Sequence, residues 1–108
     1  FPAVAATERK IEEEPKEVAA AVRAVVAAQR ALKDDPSIAA DAAKRHFPAA
    51  ERALIAELVW RDALFYDPAI SAESAESLNA FARAIGLLSG SPAYEDVVAA
   101  RSRSSWRR

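Results

Sequence analysis

The stretch PKEVAAAVRAVVAAQRALKDD (15–35) decides the fold, because it is the longest uninterrupted helical pattern in the chain. Val18, Val22, Val25, Gln29 and Leu32 recur at steps of three and four, which sets them on one stripe of a helix. Lys16, Arg23 and Arg30 repeat every seven residues on another face, where they stay in water. Pro15 suits a first helical turn, since its missing N–H has no intrahelical partner there. Asp35-Pro36 closes the pattern, because the residue before a proline is pushed out of helical geometry. Between the stripes lies alanine, a strong helix former that offers little area to bury. The sequence therefore predicts a helix over 15–35 that needs larger neighbours.

Working outward, the other prolines punctuate the chain in the same way. Thr7 is placed to cap a short acidic helix over Glu8–Glu14. Pro36-Ser37 opens a third helix through about Arg45, with only Ile38 and alanines to bury. Phe47-Pro48 marks the next junction, and from Ala49 a richer apolar stretch sets Leu54, Ile55, Leu58, Val59, Phe65 and Tyr66 on one face before Asp67-Pro68 stops it. Ser71 is a good N-cap for a helix carrying Leu78, Phe81, Ala82 and Ile85, and Gly86 is the residue that ends it. Pro92 opens a last helix with Tyr94, Val97 and Val98. The expected fold is all-α, a small bundle of about six short helices punctuated by prolines. Residues 1–108 read as one helical segment, with 1–6 as an entry strand or extended and 7–108 helical. Leu54, Leu58, Phe65, Leu78, Phe81 and Ile85 are the expected core, being the large apolar residues of two long stripes.

Composition bounds the function. The 108 residues make one small domain with a formal net charge of −1 and a pI of about 5.9, which predicts no affinity for nucleic acid or acidic lipid. Roughly a quarter of the positions are alanine, and the chain has no Met, so large core-filling side chains are scarce and marginal stability is expected in isolation. Without cysteine there is no disulfide, thiol nucleophile or thiolate metal site, which suits cytoplasm and periplasm alike. No apolar run approaches the roughly 20 residues of a membrane span. The chain opens on Phe1-Pro2-Ala3-Val4, with no initiator Met and no signal-peptide pattern, and so reads either as a chain whose upstream segment was removed or as a piece of something longer.

Chemistry-bearing constellations are sparse. His46 has Ala49 and Ala50 at the positions where a second metal ligand would be wanted, so a helix-end histidine is the better reading and no metal or cofactor is expected. The serines fit caps and turns, not a nucleophile elbow. Glu12 to Glu14, Glu73 and Glu76 read as solvated helix faces, and two glycines supply no phosphate loop. Trp60, Arg61 and Asp62 are the candidate ligand-binding cluster, an indole beside a guanidinium and a carboxylate; the plainer reading is that each meets a neighbouring helix. Arg101, Arg103, Arg107 and Arg108 supply phosphate-seeking charge, but only Trp106 accompanies them, and a solvated terminus explains them better. No catalytic residue is assigned and an enzyme is not expected.

Four segments carry a resemblance: FPAVAATERKIEEEPKEVAAAVRAVVAAQRAL (1–32), DDPSIAADAAKRHFP (34–48), ISAESAESLNAFARAIGLL (70–88) and YEDVVAARSRSSW (94–106). Their order resembles the C-terminal end of an ABC-transporter periplasmic substrate-binding protein of the nitrate, sulfonate, taurine and thiamine-precursor group. Pro15-Lys16-Glu17-Val18 matches the family's start of a long helix, and Gly86-Leu87-Leu88 its late Gly-Leu-Leu. The resemblance covers nearly all of this chain and about a third of a whole family member. It departs at Ser102-Arg103-Ser104-Ser105, where family members often carry hydrophobic residues. It implies the C-terminal helical part of a two-lobed α/β receptor, supporting one lobe, periplasmic, without catalysis. Its partners are then the remainder of the parent protein and, through it, an ABC permease, with the small-molecule ligand bound only by the full-length protein. A free-standing helical interaction module that forms a homo-oligomer is the rival expectation, and a small nucleic-acid binder using the arginine tail is the third.

Overall fold

Proline at the first position of a helix costs no hydrogen bond, and Pro15 occupies that position in the computed structural model, which describes residues 3–99. Six α-helices and one 3₁₀ turn are found among the described residues, with no strand. The chain divides into two compact units, one ending at Pro68 and the other beginning at Ala69. Residues 3–7 carry neither helix nor strand. The expected entry segment at Phe1 and Pro2, and the arginine tail from Arg101 to Arg108 with Trp106, lie outside the described residues.

In the first unit α1 (Glu8–Glu13) is capped by Thr7, whose hydroxyl accepts the Lys10 N–H at 3.2 Å. Glu14 leaves helical geometry, and α2 (Pro15–Asp34) follows at once. Lys10 spans this break by donating to the carboxylates of Glu14 and Glu17, which holds its pKa above the ordinary lysine value. On the inner stripe of α2, Val18, Val22, Gln29 and Leu32 are half-buried as expected, but Val26 is the buried residue and Val25 is exposed. Both valines lie one turn beyond Val22, and a 3.6-residue period does not choose between steps of three and four.

Asp35 starts the next turn. Its Oδ1 accepts the Ser37 N–H at 3.0 Å and the Ser37 hydroxyl, and regular α3 (Ile38–His46) begins just after. Pro48 does not open a helix directly. Its carbonyl accepts the Glu51 N–H at 2.9 Å in a turn, and α4 (Arg52–Asp62) starts beyond it. The helical run expected to reach Asp67 tightens into a 3₁₀ turn (Ala63–Phe65) and then extends.

Alanine builds the interior of this unit. Ala39 and Ala43, one turn apart on α3, are buried on the helix that packs against α4, and Ala43 is wholly inaccessible. Ala63 is buried in the 3₁₀ turn that packs on α2. Side chains of a single methyl let backbones approach closely, so area is buried through proximity and not through size.

This corrects the expected core. Leu54 is 55% exposed and Phe65 81% exposed, while Leu58 is only half-buried. Ile55, Ala56 and Val59 are half-buried like Leu58, and no residue of α4 is fully buried. Charged residues Arg52, Glu57, Arg61 and Asp62 are spread round α4, so no single apolar stripe stands out and several overlapping ones satisfy helical spacing.

The second unit is built on α5 (Ala72–Ala84). Ser71 caps it, accepting the Ser74 N–H at 3.0 Å. Gly86 ends it with φ +78°. The Gly86 N–H reaches the Arg83 carbonyl and the Leu87 N–H reaches the Ala82 carbonyl, the paired bonds of a Schellman ending. The returning chain forms α6 (Tyr94–Val97), two residues after Pro92, with Asp96 accepting the Ala93 N–H at 3.0 Å. The Tyr94 hydroxyl donates to the Ile70 carbonyl and so fastens α6 to the approach of α5. The inward side of α5 is Ala75, Asn79, Ala82 and Arg83, leaving Leu78, Phe81 and Ile85 exposed. This is the second correction to the expected core. From this side Asn79 donates to the Pro92 carbonyl at 3.5 Å and Arg83 to the Gly90 carbonyl at 3.4 Å. Those carbonyls belong to a turn that no helix satisfies.

Candidate functional site

Trp60, Arg61 and Asp62 close the last turn of α4. Consecutive residues on a helix diverge by about 100°, so three in a row cannot all face one ligand without help from their side chains. The structure brings two of them together. Arg61 grips Asp62 with both ends of the guanidinium, Nε to Oδ1 at 2.6 Å and the second nitrogen to Oδ2 at 2.9 Å. This fork raises the pKa of Arg61 and holds the Asp62 carboxyl below its ordinary value. Each charge is thus answered by its neighbour. Trp60 takes no part in that fork and is 65% exposed.

Exposure here has a chemical consequence. An ion pair in water is screened and worth little, so the fork orients the two side chains more than it stabilises the helix. What the surface offers is an exposed indole one residue before a guanidinium that is engaged by its own carboxylate neighbour, residue types that anchor protein contacts. Leu64 and Phe65 follow on the 3₁₀ turn, both largely exposed. Periodicity alone does not reveal this surface, since helical spacing sets Leu54 and Phe65 on the expected core stripe. The signal available in the sequence was the spread of apolar residues around all sides of 52–65.

The remaining candidates take ordinary places. His46 ends α3 beside Lys44 and Arg45, exposed, where positive charge suits the helix terminus. Among the described residues no group of three or more His, Asp or Glu side chains is arranged to hold a metal ion. Glu76 pairs with Arg83 at 2.6 Å, and Ser71 and Ser74 serve the start of α5. No described helix is long and apolar enough to cross a membrane. No family model, no curated protein and no solved structure matches the chain.

Proposed function

We propose that this chain is a non-catalytic helical support, the part of an ABC-transporter substrate-binding protein that buttresses one lobe for a small anionic solute such as nitrate or a sulfonate. The observation that carries the reading is the exposure of large apolar side chains in each unit. Leu54, Trp60, Leu64 and Phe65 are open in the first, and Leu78, Phe81, Ile85 and Leu87 in the second, while the buried residues are alanine and valine. Leu78, Phe81 and Ile85 share one stripe of α5 by helical spacing, and an apolar stripe left open ordinarily marks a place where more polypeptide docks. On this reading the covering surface belongs to the remainder of a parent binding protein, and an ABC permease is reached through that parent. The ligand then sits between two α/β lobes, whose polar groups must converge from both sides. The assignment to transport rests on the order of sequence motifs, and the support role on the bare apolar side chains.

A second reading, favoured by the open stripe of α5, is a helical interaction module that covers this surface by self-association. One observation separates the readings, and two measurements test both. The coding sequence around this segment is expected to supply two α/β lobes on the first reading and none on the second. In calorimetric titration the chain alone is expected to give no saturable heat with nitrate, a sulfonate, taurine or a pyrimidine, and light scattering is expected to show association rising with concentration. A monodisperse monomer that binds one of these ligands at micromolar concentration overturns both.

A further inference from the structure

We draw no further inference here: the strongest candidate, the bare apolar stripe of Leu78, Phe81 and Ile85 along α5, carries nothing because no feature of the structure shows what covers it.

Discussion

The ammonium of Lys33 donates to the backbone carbonyl of Tyr66 at 3.0 Å, tying the end of α2 to the chain just past the 3₁₀ turn. The contact joins positions 33 residues apart and lies beside Ala63, the alanine buried where that turn meets α2. Lys33→Met keeps the apolar stem and removes the donor. A hydrogen bond of this kind contributes about 0.5–1.5 kcal/mol net, and exposure places this one at the low end. The expected outcome is a lowered urea midpoint with an unchanged slope. An unchanged midpoint assigns the tether no role in stability.

Ala43 and Leu54 invert the usual order of importance. Ala43 is wholly inaccessible where α3 meets α4, so Ala43→Leu forces the helices apart and is expected to cost about 1–3 kcal/mol or more. Leu54→Ala removes an exposed side chain and is expected to stay within about 0.5 kcal/mol. Thermal midpoints of the two variants check this, and the opposite ranking returns Leu54 to the core.

Gly86 holds φ +78° with open space where a Cβ would stand, so substitution there is a matter of backbone strain alone. Gly86→Ala is expected to destabilise the second unit by about 1–2 kcal/mol. Gly86→Asn is expected to cost less, because asparagine tolerates this region better. Amide exchange at the C-terminal turn of α5 reports the difference locally, and equal protection in both variants removes the glycine from the argument.

The Asp62 carboxyl titrates low because Arg61 hydrogen-bonds to it. A folded-state pKa below the unfolded one contributes stability that is present above the unfolded value and is lost as pH falls through the folded value. The window is therefore acidic, and the neutral range is unaffected by this group. Arg61→Gln is expected to move the carboxyl titration, followed by NMR, upward toward the ordinary aspartate value. A titration that does not move shows that the fork is absent in solution.

Much of the secondary structure was legible because its causes are local. Thr7 and Ser71 as caps, Pro15 as first helical residue and Gly86 as helix end each depend on a few neighbouring bonds, and all take those roles. The expectation that Arg61 and Asp62 would each meet a neighbouring helix did not anticipate that they pair with one another. A guanidinium chooses among every carboxylate within reach, and only the fold sets that choice.

Taken alone, the sequence determined the all-helical character of the described residues, the number of helices among them and most of their ends, through proline, capping residues and helical spacing. Tertiary structure decided which face of each helix is buried. Val26 is chosen over Val25, Ile55 and Val59 over Leu54, and Asn79 and Arg83 over Leu78 and Phe81. The reason is physical. In an alanine-rich chain the buried face is selected by how closely two backbones approach and by which carbonyls need donors. Neither quantity is a property of one helix, so the size and periodicity of side chains along one segment cannot specify it.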